Sequence, residues 1–184
     1  MTVLTIDTDY DGDVNNSFTK TTNGATVRVG VAAKAPYHTF ARFPLTNLPT
    51  GATISQVRLL VNCGTAGGAA HLLDIHPYNS DGQADPSADA GDPYYSRSAA
   101  GTAYINDDTS LRSTGAKAFT LGSNVVADVG NAKTAVNRFS LGLHDEGDND
   151  NYASITALDA GSNVPQLEIT YTQPTGDTMK VQVM

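Results

Sequence analysis

Two segments far apart in the chain have the residue pattern of β-strands, and together they limit the fold more than any other feature. In residues 166–172 apolar and polar side chains alternate, which is the period of two of a half-buried strand. Residues 40–61 hold two extended runs on either side of a turn at residues 48–52. Pro49 takes the second position of that turn, with Gly51 two residues later, which suits a type I turn. Both segments predict antiparallel β-structure.

Short runs of the same kind follow one another along the chain and are separated by clusters of Gly, Asn, Asp and Pro. The predicted strands span residues 3–6, 26–31, 38–43, 54–61, 71–78, 117–121, 139–144, 153–158, 166–172 and 179–183. One short helix is predicted within residues 123–133, where Gly130 weakens it. The pattern predicts an all-β fold, an antiparallel β-sandwich in one domain over residues 1–172. Residues 173–184 would then form a C-terminal tail or an extra edge strand.

Composition limits the partners that the chain can bind. Its 184 residues carry a formal net charge of −8, with only 11 basic residues and no basic cluster. Binding to a phosphate backbone needs several Lys or Arg side chains, so we expect no nucleic-acid partner. No stretch approaches the roughly 18 apolar residues of a membrane span, and we expect no membrane partner. The acidic surface is compatible with divalent-ion uptake, with docking to a basic partner, or with solubility alone.

The two strand segments also carry a family resemblance. Residues 40–61 read FARFPLTNLPTGATISQVRLLV, and residues 164–172 read VPQLEITYT. Both stretches resemble the DNRLRE-type modules, also described as disaggregatase-related or family-96-like carbohydrate-binding modules, and the similarity spans roughly residues 5 to 172. The resemblance implies a jelly-roll sandwich and a non-catalytic module on extracellular or particle surfaces. Residues 79–111 lack the Trp-containing loops common in that family, and the chain has no Trp.

An Asp-rich stretch near the N-terminus is the first candidate metal site. Its carboxylates alternate with other residues and are Asp7, Asp9, Asp11 and Asp13. The first three occupy positions one, three and five of a Ca²⁺ loop, and Gly12 occupies position six. The twelfth position holds Phe18 instead of the bidentate Glu, which excludes an EF-hand. A looser Ca²⁺ or Na⁺ site remains, and the alternative is an Asx-rich turn whose side chains cap their own backbone.

A second oxygen-rich segment follows the strand predicted at residues 139–144. It contains Asp145, Asp148 and Asp150, together with two Asn and a Gly. These carboxylates are a second, weaker candidate for Ca²⁺. A hairpin turn favours the same residue types, so an ordinary turn is the alternative.

Tyrosines in the long loop at residues 79–103 are the candidate ligand-binding residues. Tyr94 and Tyr95 are adjacent there, and aromatic faces can stack on the pyranose rings of a glycan. Tyr78, Tyr104 and Tyr152 lie in or beside loops as well. The alternative for all of them is partial burial with the hydroxyl group bonded at a sheet edge.

The sequence contains no pattern that indicates catalysis. It lacks a Gly-x-Ser-x-Gly elbow, a phosphate-binding Gly-rich loop and a Cys-x-x-Cys pair, and Cys63 is predicted to be a small buried apolar residue. His71 and His76 are five residues apart, which puts them on opposite faces of one strand, where they cannot share a metal. His38 and His144 have no partner nearby in the sequence. We therefore expect a protein that is not an enzyme.

Two functions fit these observations. The first is a bacteriophage virion surface protein, a capsid decoration or tail-associated subunit, which assembles with neighbouring virion subunits or with copies of itself through terminal strands. The second is a carbohydrate-binding module of a secreted or cell-surface bacterial protein, which binds a surface glycan. The first places the chain on the virion surface, and the second places it outside the cell.

Overall fold

The computed structural model describes residues 1–32, 35–89, 96–145 and 151–173. The strands are β1 (Thr2–Asp7), β2 (Tyr10–Asn15), β3 (Lys20–Thr21), β4 (Thr26–Ala32), β5 (Ala35–Pro44), β6 (Thr53–Thr65), β7 (Leu73–Pro77), β8 (Ile105–Asp108), β9 (Gly115–Thr120), β10 (Arg138–Asp145), β11 (Tyr152–Thr156) and β12 (Gln166–Thr172). The α-helix α1 spans Asn124–Ala135. The predicted all-β class is therefore confirmed.

The strands form one curled sheet in which every recorded pairing is antiparallel. Its order is β1-β12-β6-β11-β4-β5-β10-β7-β8, while β2 pairs with β5 and β3, and β9 pairs with β6. The 13-residue β6 and the 10-residue β5 each have several partners, so the sheet branches at these two strands.

The inner side of the curled sheet holds one hydrophobic core. Along β12, Leu167, Ile169 and Tyr171 are buried, which confirms the alternation predicted from the sequence. Cys63 on β6 is buried as predicted, and its Sγ lies 3.1 Å from the carbonyl oxygen of Thr65. Burial of each large aliphatic side chain contributes about 1.5–3 kcal/mol, so this core is the main stabilising feature of the fold.

Helix α1 begins within the predicted residues 123–133 and ends two residues beyond them. Val125, Val129 and Ala132 are fully buried and follow the helical spacing of four and three residues, so one face of α1 packs on the core. The ammonium group of Lys133 in the last turn donates to the carbonyl oxygen of Leu45 at 2.9 Å, which ties the helix to the chain beyond β5.

The turn between β5 and β6 differs from the predicted type I turn. Ala52 N–H donates to the carbonyl oxygen of Pro49, so Pro49 is the first turn residue and not the second. Gly51 is then the third residue, and its φ of 77° is the left-handed conformation that a type II turn requires at this position.

The Asp-rich segment predicted as a loop is largely strand β2, and the short β3 and β8 have no predicted counterpart. Strand β2 is difficult to recognise from its sequence because two of its buried residues are Asp11 and Asp13, and Asp normally indicates a turn. Residues 179–183, predicted as a strand, lie outside the described residues.

The outer face of β2, β5, β10 and β7 is covered by the described parts of the long segment 78–104. Val14 and Phe40 from the sheet and Tyr78 from the covering segment form a second, smaller core there. Tyr10 and Ala84 pack against it. At one end of this face, the covering segment buries polar side chains of β5, β7 and β10.

Candidate metal centre

Antiparallel pairing brings an Asp and two His side chains onto one face of two neighbouring strands. Asp74 and His76 are two residues apart in β7, so their side chains point to the same side. In the register of β10 on β7, His144 lies opposite Asp74 and Gly142 lies opposite His76. Directly opposed residues share a face of the sheet, so His144 joins the other two side chains.

The three side chains converge on a small volume. The Nε2 atoms of His76 and His144 are 3.0 Å apart. The Oδ2 atom of Asp74 lies 4.0 Å from His76 Nε2 and 3.8 Å from His144 Nε2. Their relative exposures are 4% for Asp74, 9% for His76 and 8% for His144, so little of the group meets bulk water. Among the described residues, this is the group whose donor atoms are close enough together to share a metal ion.

Backbone groups orient two of these side chains. Asp74 Oδ1 accepts a hydrogen bond of 2.7 Å from the N–H of Asp107, which turns Oδ2 towards the histidines. His76 Nδ1 lies 3.2 Å from the carbonyl oxygen of Gly101. A carbonyl oxygen only accepts, so Nδ1 carries the proton and neutral His76 presents a bare Nε2 to the centre.

Residues of the covering segment and of β5 close the site on another side. Ser98 is fully buried, and its Oγ shares a hydrogen bond of 2.8 Å with His38 Nδ1. The His38 ring lies beside that of His144, with centroids 5.2 Å apart. Gly142 makes this arrangement possible, because a Cβ atom there would collide with the backbone of Ser98.

The environment favours neutral imidazole at His144. Burial lowers the pKa of His144, and the neighbouring His76 lowers it further, against the opposing effect of the Asp74 and Asp145 carboxylates. Burial disfavours the charged form of an imidazole because the cation loses its hydration. Neutral imidazole is also the form that binds metal ions.

The first two of the four N-terminal carboxylates bond to different side chains of the protein. Asp7 at the end of β1 accepts a hydrogen bond of 2.7 Å from Nε2 of Gln166. Asp9 forms an ion pair with Arg42, with 2.8 Å between Oδ1 and Nε. Among the described residues, these carboxylates do not form a group whose oxygen atoms are close enough together to share an ion, so Ca²⁺ binding by this stretch stays a prediction.

The last two carboxylates of this stretch, on strand β2, are buried. Asp11 Oδ2 accepts a hydrogen bond of 2.9 Å from the N–H of Leu158, and burial raises the pKa of Asp11 to about 6. Asp13 Oδ2 accepts a hydrogen bond of 2.8 Å from the N–H of Arg28 and lies 3.3 Å from Nε of the same residue. Both side chains therefore bond to the backbone of neighbouring segments.

The second predicted acidic cluster is described only in part. Asp145 is buried at the end of β10, where Oδ1 accepts a hydrogen bond of 3.0 Å from the N–H of Leu72. Its Oδ2 lies 3.7 Å from Nε2 of His71. Asp148 and Asp150 lie outside the described residues.

The predicted glycan-binding residues Tyr94 and Tyr95 also lie outside the described residues. Two other tyrosines considered from the sequence are buried, which supports the alternative of buried rings with bonded hydroxyl groups. Tyr78 donates to Asp89 Oδ2 at 2.8 Å, and Tyr104 donates to Asp128 Oδ2 at 2.6 Å.

Sequence reasoning missed the Asp-His-His group because it compared the wrong pair of histidines. His71 precedes β7 and its Nε2 donates to the carbonyl oxygen of Val29, so it belongs to a separate cluster. The signal that was available is the Asp74-Ile-His76 spacing, which puts two metal-binding side chains on one face of a strand. His144 is 68 residues away from His76, and only the strand register connects them.

Comparisons with known proteins leave the family open. Neither a scan against models of protein families nor a search of characterised proteins finds a match to this chain. The likeness to DNRLRE-type modules therefore stays a prediction from the sequence. In the part of the chain that the structure describes, no helix has the length and apolar character needed to cross a membrane.

Proposed function

We propose that this chain is a non-catalytic module of jelly-roll type that assembles with neighbouring subunits on the surface of a bacteriophage particle. The observation that carries the proposal is the edge strand β1. It pairs with β12 on one side, and no described strand pairs with its other side. An unpaired edge presents a row of N–H and C=O groups to which a strand of another subunit can add.

The side chains of β1 leave this edge open. Its sequence is Thr-Val-Leu-Thr-Ile-Asp, without the Lys or Pro that proteins often place on an edge to prevent pairing. Val3 is 58% exposed although its side chain is apolar. A strand from a neighbouring subunit would cover Val3 and satisfy the backbone groups of β1 at the same time.

The mass of the chain in solution, measured by light scattering, tests this proposal. We expect a defined oligomer that dissociates in the Val3→Lys variant, because a charged side chain on the edge opposes strand addition. Asn131→Lys on the exposed side of α1 is the matched control and should leave the mass unchanged. Deletion of residues 175–184 tests separately whether the C-terminal segment supplies the added strand.

A strict monomer at all concentrations would overturn assembly through β1. The same conclusion follows if an oligomer forms but the edge variant and the deletion both leave its mass unchanged. In either case the carbohydrate-binding alternative takes precedence.

A groove on the outer side of β6 favours that second candidate function. Its volume is about 290 Å³, and it lies between β9 and the chain that leads into β12. The polar residues among those that line it are Asn62, Asn163, Gln166 and Lys117. Amide side chains donate to and accept from sugar hydroxyl groups, although the described lining offers no aromatic ring for stacking.

Affinity electrophoresis in gels that contain a soluble polysaccharide tests the carbohydrate-binding function. Retardation that is lost in Asn62→Ala would place a glycan in this groove. Retardation that is instead lost when Tyr94 and Tyr95 are both replaced by Ala would place it on the loop predicted from the sequence. Unchanged mobility in every polysaccharide tried would argue against glycan binding.

A further inference from the structure

We propose that Asp74, His76 and His144 bind one divalent transition-metal ion, and that zinc is the ion that fits them best. This site is independent of the assembly proposed above, because it lies under the covering segment and not at the edge strand β1.

The distances between the three donor atoms match the size of a zinc ion. For separations of 3.0, 3.8 and 4.0 Å, the point equidistant from the three atoms lies about 2.1 Å from each, the usual length of Zn–N and Zn–O bonds. An ion displaced slightly from the plane of these atoms, towards a fourth ligand, keeps its bonds within about 0.2 Å of the usual values. The distances between the donor atoms therefore fit one zinc ion.

The chemistry of the donors selects the class of ion. Two imidazole nitrogens and one carboxylate oxygen suit zinc, nickel, cobalt, iron(II) or copper. Calcium and magnesium prefer oxygen ligands, whereas two of the three donors here are imidazole nitrogens. The site thus differs in metal class from the Asp-rich calcium sites predicted from the sequence.

The groups around the donors have the arrangement found at metal sites. The Nδ1–H of His76 donates to a backbone carbonyl oxygen, and Asp74 Oδ1 is held by the backbone N–H of Asp107. Such contacts fix the tautomer of a ligand histidine and the direction of a ligand carboxylate. Without an ion, the bare Nε2 of His76 can accept a hydrogen bond from the Nε2–H of His144, so the same geometry also suits the metal-free protein.

The ion would join the covering segment to the sheet. Its ligands come from β7 and β10, and His76 in turn bonds to Gly101 of the covering segment. Bound zinc lowers the freedom of both strands and of the segment above them. We therefore infer that the ion stabilises this part of the fold. Its three protein ligands leave the fourth coordination position to water, which makes it an open zinc site.

Metal analysis of the purified full chain tests the proposal. The protein is stripped with a chelator and dialysed separately against Zn²⁺, Co²⁺ and Ca²⁺. It is then desalted, and the metal per chain is measured by mass spectrometry of the elements. We expect one Zn²⁺ per chain, visible absorption from bound Co²⁺, and no retained Ca²⁺.

Histidine variants locate the bound ion. His76→Gln and His144→Gln should each lose the retained zinc, because an amide is a poor zinc ligand. His71→Gln removes a fully buried histidine from outside the group and should still retain one zinc ion. Circular dichroism shows whether each variant folds.

If the histidine variants fail to fold, a spectroscopic measurement on the unaltered protein tests the proposal instead. Titration with Zn²⁺ should shift the imidazole ¹⁵N signals of His76 and His144 and leave those of His71 in place. The proposal is overturned if the unaltered chain retains no zinc, if it retains as much in the double variant His76→Gln/His144→Gln, or if zinc leaves these imidazole signals unchanged.

Discussion

At the scale of single residues, the buried carboxyl of Asp11 makes the stability of the protein depend on pH. Burial raises the pKa of Asp11 in the folded chain to about 6, above its ordinary value of 3.8. The folded state therefore binds more protons than the unfolded state between these values. The contribution to the free energy of unfolding is fully present below pH 4 and is lost as pH rises through 6.

The variant Asp11→Asn removes this dependence. Relative to the unaltered protein, we expect it to gain stability between pH 4 and 6, by up to roughly 3 kcal/mol at 1.36 kcal/mol per pKa unit, and to gain nothing more above pH 7. Urea unfolding of both proteins from pH 4 to 8 measures the difference. A difference that stays constant over this range would contradict the assignment.

A second residue, Gly142, tests how closely the covering segment lies on the sheet. A methyl group at this position would meet the backbone of Ser98. Gly142→Ala should therefore lower the free energy of unfolding by about 1–3 kcal/mol, the usual effect of excess volume in a packed interior. The midpoint of urea unfolding measures it, and an unchanged midpoint would show that the segment can move away at no cost.

At the scale of elements, helix α1 contains a glycine that packing does not require. A Cβ atom at Gly130 would have no neighbour within 4 Å. Gly130→Ala should raise the free energy of unfolding by about 0.5–1 kcal/mol, because alanine loses less backbone entropy in a helix than glycine. Urea unfolding measures the gain, and the opposite sign from Gly142→Ala would distinguish helix propensity from local crowding. A loss of stability in Gly130→Ala would show that this helix face has an unrecognised contact.

Strands were predictable where their faces differ in polarity. The alternation in residues 166–172 predicted β12, and the helix predicted within residues 123–133 corresponds to α1. Strand β2 was missed because Asp11 and Asp13 are stabilised by distant backbone N–H groups, Leu158 and Arg28, which no local pattern reveals. Local sequence therefore predicts a strand only when its buried face is apolar.

At the scale of the whole molecule, metal binding should be coupled to folding. If the proposed site binds zinc only in the folded state, free zinc at 100 times Kd adds about 2.7 kcal/mol to the free energy of unfolding. For a chain of this size that corresponds to a rise in Tm of roughly 5–10 °C. Differential scanning fluorimetry of the stripped protein with Zn²⁺ measures the rise, and Ca²⁺ is the matched control.

If Zn²⁺ no longer raises the Tm of the His144→Gln variant, the rise in the unaltered protein is due to binding at the proposed centre. An equal rise with Ca²⁺, or an equal rise in this variant, would instead assign it to ions bound at the acidic surface.

The sequence by itself determined the all-β class, the antiparallel strands and the small buried role of Cys63. These follow from residue periodicity, which depends on neighbours two to four positions away. The spacing of Asp74 and His76 also implies one face of a strand, but this signal went unused and does not identify a site by itself.

Only the tertiary structure determined which side chains lie next to each carboxylate. It separated the Asp7 to Asp13 series by pairing Asp9 with Arg42 and burying Asp11, and it brought His144 beside Asp74 through the register of β10 on β7. The physical reason is that the position of a side chain across a sheet depends on strand order and register. Both are set by burial of the entire core and not by the residues adjacent to the site.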